Sequence, residues 1–407
     1  MPTYLHALQT WTPDSLYLQE EASTAMQAQV GDPRVRRIIR HIHRQSAIDQ
    51  RHVVWQNDAD ALFPVDGDGR WHNPGTGARN QAYTRYAAPA AAELARRCLA
   101  AAPHLAAADV THVITASCTG FSNPGIDIQI CRALQLPDTT ARFHLGFMGC
   151  SAAFPALRMA KALCDADPQA VVLVLCLELC SLHFQPGNTS EDALIAGALF
   201  ADGAGAALVS QRPPPPGLPA VRLQGFSTTL TPTGGESMAW NIGDEGFEMV
   251  LGTYVPHIID DHIVGALEPL LSRDDSLSGH PYRDIRHWAI HPGGRSILDK
   301  VQARLELSDE QLVPARETLR NFGNMSSATV LFVIRHILDL PVEADAGDNL
   351  AAEASGGDGG ERICSMAFGP GLTVETALFT KITAPQSARG EAEPEHAGLP
   401  RPASALA

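Results

Sequence analysis

The sequence predicts an α/β fold of layered sheets and helices, built twice over. Unbroken apolar runs such as VVLVLCLELC at 171–180 alternate with helical segments, the pattern of strands covered on both faces. The stretch FHLGFMGCSAAFPALRMAKALC at 143–164 ends in a helix whose small and apolar residues cover more than one face, which marks a buried helix. After PPPP at 213–216 the plan of strand and helix begins again, so this run reads as a linker.

Residues 1–212 form the expected first half. Its basic cluster RVRRIIRHIHR at 34–44 places Arg34, Arg37, His41 and Arg44 near one helical face and leaves Val35, Ile38, Ile39 and Ile42 to pack inward. In an acidic chain that patch reads either as an anion site or as a solvated helix face. Residues 66–82, rich in Gly, Asp and Asn, read as a loop, followed by an Ala-rich helix from Tyr86 to Ala108 and the buried strand THVITASC. The buried-helix stretch, a strand at 171–180, a helix near 190–199 and the strand GAGAALVSQ complete this half.

A linker at 213–220 leads to the second half, 221–381: strand VRLQGFSTT, a helix near 247–271, strand IRHWAIHP, a helix from Ser296, NFGNMSSATVLFVIRHIL, a Gly/Asp/Ala loop at 344–360, and the strands ICSMAF and LTVETALFT. GNMSSATVLFVIRHIL echoes GCSAAFPALRMAKAL in plan, with a glycine, a functional side chain, small residues and a buried helix. If the echo is a duplication, Cys150 and Asn324 stand at equivalent helix starts. Residues 382–407, rich in Ala, Pro, Gly and Glu, read as a disordered tail.

The 407 residues suffice for two domains or one large duplicated one. A net charge of -15 argues against broad nucleic-acid binding. The eight cysteines form no CxxC pair, and the sixteen histidines include no HExxH, so neither a disulfide framework nor a metal site is expected. The first residues lack the charged start and apolar core of a signal peptide, and no run reaches the length of a membrane span. The cytoplasm is the expected compartment.

Three segments set one functional group among small residues: Gly149-Cys150-Ser151, His291-Pro292-Gly293-Gly294 and Gly323-Asn324-Met325-Ser326. A cysteine at a helix start faces unpaired N–H groups and the positive dipole end, which favours thiolate and is expected to lower the thiol pKa below about 8.5. With a histidine to handle charge and an amide to stabilise an oxyanion, such a set runs acyl chemistry on thioesters. Each residue also has a plainer reading: Cys150 as a small buried hydrophobe, His291 as a strand cap, Asn324 as a helix N-cap.

These segments, with LFADGAGAALV and MAFGPGLTVE, resemble the type III polyketide synthases, the chalcone synthase-like branch of the thiolase superfamily. The order and separations of Cys150, His291 and Asn324 fit that family, and the resemblance covers roughly residues 5–380. It implies a thiolase-like, duplicated αβαβα layered fold with buried central helices between two sheets. It also implies that Cys150 accepts the starter acyl group and holds the growing chain, while His291 and Asn324 bind malonyl-CoA and stabilise the enolate formed on decarboxylation. Phe200 matches the family's gatekeeper phenylalanine, and Gly369, Pro370 and Gly371 match the loop shaping the cavity wall. Gly293, Gly294 and Ser296 are expected along the CoA arm, and Ser326 in the cavity. CoA thioesters are then substrates, no cofactor or metal is implied, and the chain is expected to be a homodimer.

The sequence departs from the plant pattern of this family. Met249 stands at the second gatekeeper phenylalanine, and Cys118, Cys180 and His183 stand where threonines are found, with Thr119 at a serine position. A flexible Met and a small Cys suit an aliphatic starter better than a fixed aromatic ring. FMGCSAAFPALR and CTGFSNPG resemble bacterial members that make alkylpyrones or alkylresorcinols from fatty acyl-CoA. Arg40, His41 and Arg44 stand near the family's CoA-binding basic residues without matching them one for one. Two relatives offer other readings. A ketoacyl-acyl-carrier-protein synthase III would condense once and release a linear product, and a biosynthetic thiolase would need a second catalytic cysteine, for which only strand residue Cys364 is available. A non-catalytic acyl-binding relative has no need of all three functional residues.

Overall fold

The computed structural model describes residues 1–55, 62–252, 254–274, 277, 279, 281–341 and 360–383. In chain order the first half contains β1 (Thr3–Trp11), β2 (Leu16–Leu18), α1 (Gln19–Ala28), α2 (Pro33–Gln45), β3 (Gln50–His52), α3 (Thr76–Ala100), β4 (His112–Ser117), α4 (Ile126–Leu134), β5 (Ala141–Gly146), α5 (Ala153–Ala166), β6 (Val171–Leu179), α6 (Glu191–Leu199) and β7 (Asp202–Ser210). The second contains β8 (Pro219–Leu230), β9 (Met238–Gly243), β10 (Gly246–Leu251), α7 (Val255–Leu271), β11 (His287–Ile290), α8 (Arg295–Leu305), α9 (Asp309–Phe322), α10 (Thr329–Asp339), β12 (Glu361–Gly369) and β13 (Thr373–Thr383).

The sheet displays the duplication. Its order is β11-β12-β13-β8-β1-β7-β6-β4-β5. Reading outward from the centre, β1, β7, β6 and β4 answer to β8, β13, β12 and β11. The directions repeat too: β6 pairs β7 antiparallel and β4 parallel, as β12 pairs β13 and β11. Two half-sheets were expected. They are in fact continuous, because β1 pairs antiparallel with β8 over Thr3, Tyr4 and Leu5.

Between the halves lie the two apolar helices. α5 touches β4, β6 and β7 of its own half and β8 and β13 of the other; α10 touches β11 of its own half and β1 and β7 of the other. Both contribute to one core, with Phe154 and Leu157 from α5 and Leu331 and Val333 from α10. Burial on several sides explains why neither helix carries an ordinary polar face. α3 and α4 cover the outer face of the first half, in a separate cluster with Tyr83, Leu94 and Ile130.

Several expectations are corrected. The helix placed near 247–271 begins only at Val255, and the residues before it form the hairpin β9–β10, with Met249 opposite Trp240. Alternation of Met238, Trp240 and Ile242 with the small or polar Ala239, Asn241 and Gly243 is a strand pattern, hidden because the second strand of the hairpin runs on into the helix. α3 begins ten residues before Tyr86, inside the expected loop, and ends at Ala100. On α2, capped by Asp32 accepting from the Arg34 N–H at 2.7 Å, Ile39 is buried but Ile38 is exposed. β13 runs through Ile382 and Thr383, past the expected start of the tail. The rest of that tail, and residues 344–359 of the expected loop, lie outside the described residues.

Candidate active site

Cys150 sits in a 3-10 turn, Gly149–Ser151, between β5 and α5. Gly149 has φ +64°, and a Cβ there would overlap the Pro370 ring, so the turn needs glycine both for its backbone and for the approach of the 369–371 loop. Asn324 follows Gly323 and stands two residues ahead of the 3-10 turn Ser326–Ala328. Gly323 has φ +69°, and a Cβ there would lie 2.9 Å from Arg51 Cγ and 3.0 Å from the Leu199 carbonyl oxygen. Asn324 then pairs by backbone with the segment carrying Phe200: its N–H donates to the Leu199 carbonyl at 2.9 Å, and its carbonyl accepts from the Ala201 N–H at 2.9 Å. His291 ends β11, where its N–H donates to the Met366 carbonyl at 2.8 Å.

The three side chains line one cavity of about 250 Å³. The Asn324 amide is fixed: Nδ2 donates to the Gly293 carbonyl at 3.3 Å, and Oδ1 accepts from the Ser326 N–H at 2.8 Å. His291 differs. It is 1% exposed, yet neither ring nitrogen has a hydrogen-bond partner. A buried, unpaired imidazole is costly unless a ligand completes it. Burial holds it neutral, pushing its pKa down to about 3. Burial also pushes the Cys150 thiol up to about 11, against the lowering effects of the Ser326 hydroxyl, the Asn324 side chain and the cysteine's own N–H. The expectation that the helix start lowers this pKa is therefore corrected, because desolvation outweighs the backbone contribution in the free protein. A thiolate–imidazolium pair would relieve both groups, since each charge supplies what burial removes.

Cys118, Thr119, Cys180, Phe200, Met249, Gly293, Gly294, Ser296, Ser326 and Pro370 line the same cavity. Gly369 stands behind it, packed on Ser151, and Gly371 takes φ +69° outside it. His183 is not in this cavity. It lines a second one, of about 570 Å³, whose wall shares only Cys180, Phe200, Trp240 and Met249 with the first. Its ring is a strut: Nε2 donates to the Thr119 carbonyl at 2.7 Å, and Nδ1 accepts from the Phe247 N–H at 3.0 Å. Tyr17, Trp55, Trp71 and Phe184 give the second cavity an aromatic lining. Arg40, His41 and Arg44 are not brought to either cavity. They are exposed on α2, where Arg40 donates to Gln27 Oε1 at 2.9 Å and, with Arg44, lines a separate groove.

Two residues were missed. Trp240 forms much of the wall between the cavities, its Nε1–H donating to the Cys118 carbonyl at 2.7 Å. Its place depends on the unrecognised hairpin. Glu178 is fully buried and accepts from the Cys118 N–H and the Thr119 hydroxyl, both at 2.9 Å, and from the Ser327 hydroxyl at 2.5 Å. Burial raises its pKa to about 7. A single acid within VVLVLCLELC was its visible signal.

Profiles of two family domains match the chain: chalcone and stilbene synthases, N-terminal domain, over residues 2–213, and the C-terminal domain of the same family over 222–383. "Type III polyketide synthase 10" of Oryza sativa subsp. japonica is 33% identical over 285 residues, covering 70% of this chain and 69% of that protein. Among solved structures, 1,3,6,8-tetrahydroxynaphthalene synthase from Streptomyces coelicolor A3(2) superposes with a TM-score of 0.79 at 27% identity, covering 95% of this chain and 100% of that one. PKS-I from the brown alga Ectocarpus siliculosus gives 0.81 at 25% identity, covering 94% and 98%.

Proposed function

The chain belongs to the chalcone and stilbene synthase family and is a type III polyketide synthase, an acyltransferase; from that premise we propose that it extends a fatty acyl-CoA starter with malonyl-CoA and closes the product to an alkylpyrone or alkylresorcinol. Members of this family use acyl-CoA and malonyl-CoA.

Cys150 attacks the starter thioester, releases CoA and keeps the acyl group. Malonyl-CoA enters with its pantetheine arm along Gly293, Gly294 and Ser296, and its thioester carbonyl takes hydrogen bonds from His291 and Asn324. Loss of CO2 leaves an enolate whose oxygen those two donors stabilise in a dry site. The enolate carbon attacks the acyl-Cys150 carbonyl and expels the sulfur, and the lengthened chain returns to Cys150 with release of CoA. After further rounds an enol oxygen or a carbon of the chain closes the ring. Decarboxylation drives each bond, so the cycle calls on positioning and charge stabilisation rather than on a metal or redox cofactor. Arg40, His41 and Arg44 offer exposed cations to the phosphate end of CoA.

The second cavity carries the choice of starter. It lies behind Phe200, Cys180, Met249 and Trp240, is largely apolar, and at about 570 Å³ exceeds the catalytic cavity. An alkyl tail passing the flexible Met249 would be buried there while its thioester stays at Cys150. The test is product mass after feeding acyl-CoAs from short to long with malonyl-CoA. Cyclic triketides or tetraketides favouring long starters are expected, and single-extension linear products alone would overturn the polyketide cycle.

A homodimer is proposed through the edge strand β5, where Phe143, Phe147 and Met148 are exposed beside Phe121. Exposed apolar side chains on a sheet edge favour cover by a second copy. Gel filtration at low concentration should show twice the chain mass, against a monomer if this is wrong. The eight free cysteines suit a reducing cytoplasm. Among the described residues no helix is long and apolar enough to cross a membrane.

A further inference from the structure

Arg51 lies where the two halves meet behind the catalytic cavity. Its Nη1 donates to the Phe200 carbonyl at 2.8 Å, and its Nε to Gln19 Oε1 at 2.9 Å. Gln19 in turn donates to the Ala198 carbonyl at 2.7 Å and to the Ser46 hydroxyl at 3.0 Å. The stem of Arg51 packs where a side chain at Gly323 would stand. One arginine thus touches Phe200, the residue that caps α6, through its guanidinium, and the turn that presents Asn324 through its stem. Asp202 attracts Arg51 electrostatically from beyond ion-pair distance, and accepts from the Ser181 N–H at 2.8 Å, the Ser181 hydroxyl at 2.5 Å and the Val54 N–H at 2.8 Å. Ser181 adjoins Cys180, a wall residue of both cavities.

Packing alone does not call for this arrangement. Burying a guanidinium against neutral acceptors is costly, and apolar side chains of the same volume avoid that desolvation. What a fork of fixed donors supplies is geometry, since it holds separate acceptors at set distances and angles. Here the acceptors belong to segments that must keep register: Leu199 and Ala201 are hydrogen-bonded by backbone to Asn324.

We propose that Arg51, backed by Asp202 and Gln19, is a positioning residue that sets the Asn324 amide against the malonyl thioester and holds Phe200 between the two cavities. It touches no reacting atom; it acts through the Phe200 carbonyl and the Gly323-Asn324 turn. Starter loading on Cys150 does not use Asn324 in the proposed cycle, whereas decarboxylation does, so loss of Arg51 separates the two steps. The inference rests on the roles proposed above for Cys150 and Asn324.

The test compares Arg51→Met, Arg51→Lys and wild-type protein in three measurements: thermal unfolding, acyl transfer to Cys150 by intact-protein mass spectrometry, and CO2 release from malonyl-CoA. For Arg51→Met that still unfolds cooperatively, loading of a short acyl-CoA, whose chain does not reach the second cavity that Arg51 also lines, should stay within about twofold of wild type while kcat for CO2 release falls about tenfold or more, with KM for malonyl-CoA changed by less than about threefold. Arg51→Lys should recover part of the loss, because an ammonium reaches the Phe200 carbonyl without the fork. Should Arg51→Met not fold, Gln19→Leu carries the same test, with a smaller selective fall in kcat expected. Unchanged kcat in folded variants, or loading and CO2 release falling in parallel, would overturn the proposal. Wild-type protein that loads Cys150 but releases no CO2 would overturn the decarboxylation step itself, and the proposal with it.

Discussion

Cys150 before α5 and Asn324 before α10 occupy corresponding places on differently folded turns: Cys150 lies within the 3-10 turn Gly149–Ser151, and Asn324 stands two residues ahead of the 3-10 turn Ser326–Ala328. Each follows a glycine of positive φ, each leads into a helix buried between the half-sheets, and each is braced by the other half: Gly149 by Pro370, Gly323 by Arg51 and Leu199. The side chains differ in how tightly they are held. Asn324 has both ends of its amide hydrogen-bonded, while Cys150 faces the cavity with its thiol raised by burial. Duplication places two polar side chains at one seam, one held by hydrogen bonds at both ends of its amide and the other facing the cavity, which suits the donor and nucleophile roles proposed for them. Among the described residues the outer strand β5 has no counterpart in the second half, and the hairpin β9–β10, which lines both cavities, has none in the first.

Removing the nucleophile breaks the comparison most severely. Cys150→Ala should abolish the acyl adduct and lower product formation by about a thousandfold or more, measured by intact mass and product yield. An adduct on this variant would show that another cysteine carries the chain.

The braces come next. Gly149→Ala and Gly323→Ala should each destabilise the fold by about 2–4 kcal/mol in denaturant unfolding, with Gly149→Ala the worse because the proline ring cannot swing aside as the Arg51 side chain can. Equal, negligible losses would mean that the turns relax freely.

The unduplicated hairpin provides a milder test. Trp240→Ala should join the two cavities and shift the preferred starter length by several-fold in kcat/KM, leaving loading of a short acyl-CoA little changed. A uniform loss for all starters would show that Trp240 supports the site rather than dividing it.

The pH response of Cys150 tests the nucleophile without turnover. Burial is the largest of the influences that hold the thiol near 11, and it holds the imidazole near 3, so a thiolate–imidazolium pair with His291 is the expected route to a reactive thiolate at neutral pH. His291→Ala should move the midpoint of iodoacetamide inactivation upward, toward about 11, and slow alkylation at pH 7 about tenfold or more. An unchanged midpoint would place thiol activation in the turn itself.

Much of this was legible before any coordinates. The apolar runs marked the sheet, and the small-residue helices marked the seam, because deep burial on several sides leaves only such residues acceptable. Cys150, His291 and Asn324 stood out as candidate functional groups among glycines, and the fold brings the three to one cavity, where their roles await the experiments above. What failed depended on contacts distant in the chain. Glu178 takes its partners from residues 118, 119 and 327, Trp240 acts through a hairpin whose alternation merges into α7, and Arg51 joins segments near 19, 200 and 323. The thiol pKa failed for the same reason. The dipole effect is local and readable, whereas desolvation comes from the whole surrounding fold.

The division of roles between the two turns is tested most directly by intact-protein mass spectrometry of Asn324→Ala. Given a fatty acyl-CoA, the variant should carry the acyl mass on Cys150, and on addition of malonyl-CoA that mass should persist without extension while wild-type protein turns over. A folded variant that fails to load, or one that extends its chain at the wild-type rate, would contradict the assignment of holding to one turn and decarboxylation to the other.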